Sequence, residues 1–102
     1  MKITEVKIFP VRDSGRLKAY ATIVFENAFI IRDLKVIEGD KGLFVSMPSR
    51  RKKDGSFKDI AHPLNSETRK MVESSVIEEF KRVQGLQKSG VSVEHYDDDA
   101  DQ

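Results

Sequence analysis

The side chains in this chain with the clearest chemistry are four consecutive cations at Arg50–Lys53. They are followed by Asp54-Gly55, a dipeptide that is typical of tight turns between antiparallel strands. Short apolar runs flank the cluster, Leu43–Met47 before it and Phe57–Ile60 after it. The pattern predicts a β-hairpin that holds four positive charges at its tip. Adjacent cations repel one another, so such a tip indicates either free solvation or a polyanionic ligand.

Two further groups of residues bear on whether the basic tip is only solvated or binds a polyanion. Arg69 and Lys70 fall in the first turn of a predicted helix, where cations oppose the helix dipole and an anionic ligand would relieve the penalty. Alternatively, their long side chains bend away into solvent. Tyr20, Phe44 and Phe57 have rings that can stack on bases, although aromatic residues in strands usually belong to the core. Taken alone, the basic tip is also explained by a solvated hairpin whose cations only prevent edge-to-edge aggregation.

The titratable residues give little support for catalysis. Asp59 and His62 lie three residues apart and could serve as a hydrolase base, but a structural histidine that hydrogen-bonds near the strand end is the favoured interpretation. The chain has two histidines and no cysteine, which leaves no plausible zinc set and no disulfide. We expect no enzyme activity, no cofactor, no metal and no small-molecule substrate. The lack of cysteine fits a cytoplasmic protein.

Length and hydropathy limit the architecture. At 102 residues the chain is one small domain at most. Its longest apolar runs are far shorter than a membrane span, and its N-terminus lacks a secretory-signal pattern. We therefore expect no membrane association.

Apolar periodicity predicts strands followed by one helix. Alternation and turn residues indicate strands over Lys2–Phe9, Leu17–Phe25, Phe29–Glu38, Leu43–Met47 and Phe57–Ile60. After Pro63 the period changes, and a single apolar stripe follows helical spacing: Val72, Val76, Ile77, Phe80 and Val83. Asn65 or Ser66 can cap this helix, and Gly85 is a natural stop. The predicted fold is α+β, an antiparallel sheet of four to five strands with one C-terminal helix. Residues 1–84 form this domain and residues 85–102 form a flexible acidic tail.

Apolar side chains on both faces of two strands predict self-association. In the strand Phe29–Glu38, alternation directs Phe29, Ile31 and Ile37 to one side and Ile30, Leu34 and Val36 to the other. One helix covers only one face of a sheet, and a domain of this size is marginally stable alone. A second copy of the chain would cover the other face or an exposed edge, so a homodimer is predicted.

The residues quoted so far belong to a longer stretch that resembles a known family. The segment IRDLKVIEGDKGLFVSMPSRRKKDGSFKDIAHPLNSETR closely resembles the core signature of the SpoVG family of bacteria, the stage V sporulation protein G or septation-regulator group. The opening KITEVKIFPVRDSGRLKAYATI is similar to the family's N-terminal hairpin. The resemblance covers about residues 1–83 and leaves the tail out.

The resemblance implies a dimeric α+β protein without known catalysis that binds DNA and RNA and regulates gene expression, with links to septation and sporulation. The basic segment carried over from the family consists of Arg50, Arg51, Lys52 and Lys53, with Lys58 after the turn. Family members more often have Thr-Pro where Lys52-Lys53 stand here, a departure that adds charge and removes a stiff proline. An alternative is a protein-interaction module of the division or sporulation machinery whose basic loop recognises an acidic partner.

Charge is divided unevenly between the body and the tail. Residues 1–93 contain all 18 Lys and Arg against 12 acids, a net charge of +6, whereas the last nine residues contain five acids. If the segment from Gly85 onward is flexible, the tail can fold back over Arg50–Lys53 and compete weakly with phosphate. The alternative is that the tail only improves solubility.

The competing role of the tail can be tested by deletion. Removal of residues 91–102 is expected to tighten binding to random-sequence DNA at low salt, because a competing anion is lost. The gain should vanish at several hundred millimolar salt, where screening removes the competition. Equal affinities of the truncated and full-length proteins at about 50 mM salt would contradict the prediction.

Overall fold

The computed structural model describes residues 1–12 and 15–88, which form an antiparallel sheet, a small ribbon and one helix. The elements in chain order are β1 (Ile3–Pro10), β2 (Leu17–Phe25), β3 (Phe29–Gly39), β4 (Gly42–Ser46), β5 (Ser49–Arg51), β6 (Phe57–Asp59) and α1 (Ser66–Lys88). Strands β1 to β4 are neighbours in sequence order, and β5 and β6 form a separate two-stranded sheet. The predicted α+β class and the single C-terminal helix are confirmed.

The core lies between one face of the four-stranded sheet and the apolar stripe of α1. Buried side chains on the sheet side come from all four strands: Ile8, Ala19, Ala21, Ile23, Phe25, Leu34, Val36 and Val45. On the helix side Val72, Val76, Phe80 and Val83 are buried and Ile77 packs against them. The predicted stripe is therefore confirmed, and burial of this face supplies the main driving force for folding.

A β-bulge in β3 changes which of its side chains face the helix. Ala21 pairs with Leu34 and Ile23 pairs with Ile31, so one residue of β2 is opposite two residues of β3. Asp33 has a φ of +66°, a conformation that Asp tolerates better than most residues. Because the bulge inserts an extra residue, Ile31 and Leu34 lie on the same face. The strict alternation predicted for this strand is therefore wrong.

The β2–β3 connection, Glu26-Asn27-Ala28, contains a tight turn that brings the start of the chain beside Phe29. Glu26 and Asn27 both have positive φ values, 55° and 52°, as a type I′ hairpin turn requires. Lys2 donates its backbone N–H to the Glu26 carboxylate at 2.8 Å, and Asn27 donates its backbone N–H to Thr4 Oγ1 at 3.0 Å. The N-terminal residues are thus fixed at the same end of the sheet as the turn.

Helix α1 begins at the predicted cap and continues beyond the predicted stop. The Thr68 backbone N–H donates to Asn65 Oδ1 at 2.7 Å, which identifies Asn65 as the N-cap. The helix includes Gly85 and extends to Lys88, so the stop predicted at Gly85 is wrong. Helical hydrogen bonding outweighs the poor helix propensity of one glycine. Residues 89–102 of the predicted tail lie outside the described residues, as do Asp13 and Ser14 of the first predicted turn.

Gly85 offers a simple test of the longer helix. A Cβ added there would have no atom within 4 Å, and its φ is not positive. Gly85→Ala should therefore stabilise the fold by about 0.5–1 kcal/mol, because alanine loses less backbone entropy in a helix. Urea unfolding measures the change. Gly55→Ala is the matched control, since Gly55 has a φ of +91° and alanine there should destabilise the fold. Destabilisation by Gly85→Ala would indicate that the helix ends earlier.

Candidate nucleic-acid interface

The predicted basic hairpin exists, but its first strand differs from the prediction. Leu43–Met47 was expected to pair with Phe57–Ile60, whereas β4 pairs with β3 instead. Pro48 follows, and proline cannot donate to a strand ladder, so pairing resumes only at Ser49. The hairpin is therefore the β5–β6 ribbon, and Arg50 and Arg51 lie within its first strand rather than at its tip.

The ribbon projects from the body of the protein. No residue of β5 or β6 comes within 8 Å, Cα to Cα, of α1 or of strands β1 to β4. Its base is closed by one backbone hydrogen bond of 2.7 Å, from the Ile60 N–H to the Pro48 carbonyl. Pro48 is buried, as is Met47 before it, and these residues anchor the base in the fold.

The tip of the ribbon is a tight turn with a fixed geometry. Gly55 donates its backbone N–H to the Lys52 carbonyl at 3.0 Å, and Lys52 donates its own to the Ser56 carbonyl at 2.7 Å. Gly55 takes a φ of +91°, which glycine adopts without strain. The Asp54 carboxylate accepts the Ser56 hydroxyl at 2.6 Å and the Ser56 N–H at 2.9 Å. These two hydrogen bonds, the one from the hydroxyl most of all, lower the pKa of Asp54 because they stabilise its ionised form.

Two cations face each other across the ribbon. Arg50 is the cross-strand partner of Lys58, and Arg51 is the partner of Phe57. Like charges directly opposite one another are destabilising in an antiparallel pair. Arg50, Arg51, Lys52, Lys53 and Lys58 are all exposed. An anion bound beside Arg50 and Lys58 would relieve this repulsion.

The five ribbon cations have no carboxylate partner among residues 1–12 and 15–88. Cations elsewhere in the same ranges do form such pairs, for example Arg16 with Asp40 at 2.8 Å and Arg82 with Glu79 at 2.6 Å. The Arg82 guanidinium lowers the pKa of Glu79 by hydrogen bonding. The ribbon therefore has five cations against two carboxylates, Asp54 and Asp59, and none of the five forms an ion pair within the described part of the fold.

Phe57 is exposed, although its place in a strand predicts a core residue. Aromatic strand residues were expected in the core, yet Phe57 is 69% exposed and Phe44 is 42% exposed. Phe57 lies beside the cationic side chains of the ribbon and directly opposite Arg51. The signal available in the sequence was its position two residues after the Asp54-Gly55 turn, in a strand too short to reach a core.

Arg69 and Lys70 do not join the ribbon. They lie in the first turns of α1, which makes no close Cα approach to β5 or β6. Arg69 is half-buried and Lys70 is exposed. Asn65 already satisfies one backbone N–H at this helix terminus. Their predicted part in anion binding remains a prediction.

His62 has a structural contact. Its Nδ1 lies 3.0 Å from the Pro63 carbonyl oxygen, to which the protonated nitrogen donates. This contact near the end of β6 matches the favoured interpretation and directs the ring nitrogen to Pro63 rather than to Asp59. In the described part of the chain, no three His, Cys, Asp or Glu side chains are grouped closely enough to hold a metal ion. No helix there is long and apolar enough to cross a membrane.

Comparison with known proteins agrees with the resemblance. The SpoVG family model matches residues 1–82. A protein of Bdellovibrio bacteriovorus named "Putative septation protein SpoVG" is 58% identical over 82 residues, which cover 80% of this chain and 75% of that protein. Proteins of the same name are 54% identical in an Anaeromyxobacter species (90% of this chain, 88% of the relative) and 48% identical in Clostridium perfringens (84% and 96%). The family match spans the sheet, the ribbon and most of the helix, and the chain belongs to the SpoVG family.

Proposed function

We propose that this protein is a cytoplasmic nucleic-acid-binding regulator that acts as a homodimer. One observation supports the proposal above all: five exposed cations on a projecting ribbon, with no carboxylate partner among the described residues. Phosphate backbones supply the regular negative charge that such a surface binds, and binding releases condensed counterions. At longer range the five acids of the last nine residues offset most of the net charge of +6 on residues 1–93, so the attraction comes chiefly from the ribbon itself.

The shape of the ribbon also suits nucleic acid. A two-stranded antiparallel ribbon fits the major groove of B-form DNA, where an arginine fork can read guanine. The major groove of A-form RNA is too narrow for side chains to read, so RNA would be contacted through single-stranded regions. There the exposed ring of Phe57 can stack on a base, beside Arg51.

The cellular role proposed for this activity is regulation of gene expression connected with septation. The named relatives in Bdellovibrio, Anaeromyxobacter and Clostridium support the link to septation. A link to sporulation follows from the family resemblance. The ribbon mechanism requires no catalytic group, cofactor or small-molecule substrate, since binding alone changes access to the nucleic acid.

Salt dependence tests the ribbon directly. If each protomer places about three cations on phosphates, a dimer neutralises about six, and the log–log salt slope for duplex DNA is about −5. Affinity should then fall about a thousandfold between 50 and 200 mM salt. Alanine at Arg50, Arg51, Lys52 and Lys53 together should weaken binding and flatten the slope, while the melting temperature hardly changes because these side chains are exposed.

The matched control removes four exposed cations from other parts of the surface: Lys2, Lys7, Lys41 and Lys81. This variant has the same net charge as the ribbon variant and should keep a steeper slope. Equal losses in both variants would mean that only net charge matters. Unchanged DNA binding in the ribbon variant would contradict the proposal and favour the alternative, an acidic protein partner for the same loop.

Phe57 separates single-stranded from duplex binding. Phe57→Ala should weaken binding to a single-stranded oligonucleotide by about 1–3 kcal/mol, because one base loses its stacking partner. Binding to a duplex should change little. Phe57→Tyr keeps an aromatic face and should restore the single-strand affinity, as fluorescence anisotropy can measure. Equal effects of Phe57→Ala on both nucleic acids would show that the ring supports the ribbon rather than stacking on bases.

A further inference from the structure

An apolar cleft lies beside the base of the ribbon. Its volume is about 150 Å³, and its walls come from the sheet, from the segment before α1 and from the first turns of α1. Pro48 is one of the lining residues, and its carbonyl accepts the Ile60 N–H that closes the ribbon. No Asp, Glu, Lys or Arg of the described residues lines the cleft, although 34% of the chain is charged. A side chain that occupies this cleft must therefore be largely apolar.

The polar groups of the cleft narrow the choice of occupant. Two lining side chains are polar, His62 and Thr68. His62 uses Nδ1 on the Pro63 carbonyl at 3.0 Å, so its Nε2 keeps a lone pair that can accept a hydrogen bond. Apolar cavities of about this volume take up a benzene-sized ring. A phenol joins such a ring to one O–H donor, so it matches both the volume and the polarity of the cleft.

The chain supplies a phenol of its own in the acidic tail. Its two tyrosines are Tyr20 and Tyr96. Tyr20 belongs to β2, where it pairs with Phe9 and Lys35. Tyr96 lies beyond Lys88, the last described residue, and is followed directly by Asp97-Asp98-Asp99. A ring placed in the cleft would therefore bring a run of carboxylates with it.

The length of the tail permits this docking within one chain. Val72 lines the cleft, and the part of α1 from Val72 to Lys88 is about 24 Å long. Tyr96 lies eight residues beyond Lys88, and an extended chain covers about 26–29 Å over that length. The tail therefore reaches the cleft if it reverses direction after the helix and returns along it in a nearly extended form. Gly90 offers the backbone freedom that such a reversal requires.

Charge complementarity selects the tail as the occupant. Arg50 follows the cleft-lining Pro48 by two residues, about 7 Å of extended chain, and Lys58 is its cross-strand partner. Asp97–Asp99 extend no more than about 11 Å from Tyr96. Carboxylates at that distance relieve the repulsion between the two opposed cations. We propose that Tyr96 docks in the cleft of its own chain and holds the acidic run against Arg50 and Lys58.

Docking of the ring would turn the tail into a competitor for phosphate at the base of the ribbon. An anchored segment has a much higher effective concentration at a neighbouring site than one that meets the site only by diffusion of the chain end. The competition with nucleic acid rests on the proposed function, whereas the docking of Tyr96 does not. A free small phenol would fill the same cleft but would bring no carboxylate to the ribbon.

Chemical shifts of the isotope-labelled full chain, without nucleic acid, test the docking. Tyr96→Ala should shift the signals of the cleft residues Met1, Ala61 and Val72, because a docked ring changes their magnetic surroundings. Tyr96→Phe keeps the ring and should leave these signals close to those of the wild-type protein. Neither change alters the charge of the tail. Cleft signals that are the same in Tyr96→Ala and in the wild-type protein would overturn the proposal.

A mixing experiment distinguishes docking within one chain from exchange of tails between copies. Labelled Tyr96→Ala protein would be mixed with an excess of unlabelled wild-type protein. Its cleft signals should remain those of the variant, because each wild-type tail occupies its own cleft. Return of the labelled signals to their wild-type positions would show that tails dock between chains, which contradicts the proposal.

DNA affinity tests the competition. Tyr96→Ala should tighten binding to random-sequence DNA several-fold at about 50 mM salt, although the net charge is unchanged. The control variant has asparagine at Asp97, Asp98 and Asp99; it should keep the cleft signals of the wild-type protein and show the same gain in affinity. Unchanged affinity in Tyr96→Ala would overturn the competition. If the protein binds no DNA at all, the proposed function fails, and the chemical shifts still decide whether Tyr96 docks.

Discussion

The missing N–H of Pro48 is the constraint on which the arrangement of this molecule depends. Strand β4 follows β3 through a tight turn and could continue, but proline cannot extend the ladder. The chain leaves the sheet there, and the Pro48 carbonyl accepts the Ile60 N–H at 2.7 Å. This hydrogen bond brings Ile60, which follows the β5–β6 ribbon, back beside Pro48, which precedes it. Both ends of the ribbon are therefore anchored while its tip projects. Pro48 also lines an apolar cleft of about 150 Å³ together with Met1 and Phe29.

The ribbon combines a costly charge arrangement with a well-defined backbone. Arg50 and Lys58 are opposed across the strands, and Lys52 and Lys53 enter the turn. The repulsion is accommodated because each side chain is exposed and the Asp54–Ser56 hydrogen bonds hold the turn. A phosphate placed between opposed cations converts repulsion into attraction. The charge arrangement of the ribbon is therefore lower in free energy with phosphate bound than in the free protein. This difference in free energy favours binding.

The sequence predicted most of the fold because its periodicities are strong. The alternation of β2 and the helical stripe from Val72 to Val83 both led to the observed core. The failures have local physical causes. The bulge at Asp33 involves no glycine, so nothing in the pattern indicated a change of phase in β3. Gly85 predicts a helix stop, yet the hydrogen-bonded helix continues past it to Lys88.

The sequence predicts which cations form the candidate site but not how they are arranged. The pattern predicts the cations on a hairpin, as observed, but it predicts Arg50 and Arg51 at the tip, whereas the break at Pro48 moves both into the first strand of the ribbon. The apolar cleft lined by Met1 and Phe29 depends on tertiary packing between distant segments. Such contacts have no local signature in one sequence.

The central claim, that the ribbon is the surface that binds nucleic acid, is tested most directly by amide chemical shifts. The isotope-labelled full chain would be titrated with a short duplex at low salt. The account predicts that the largest changes lie in residues 49–59, with the amides of Arg50, Lys53 and Lys58 among them and with the changes reversed by added salt. Changes confined to the outer sheet face or to α1, with the ribbon amides unmoved, would contradict it.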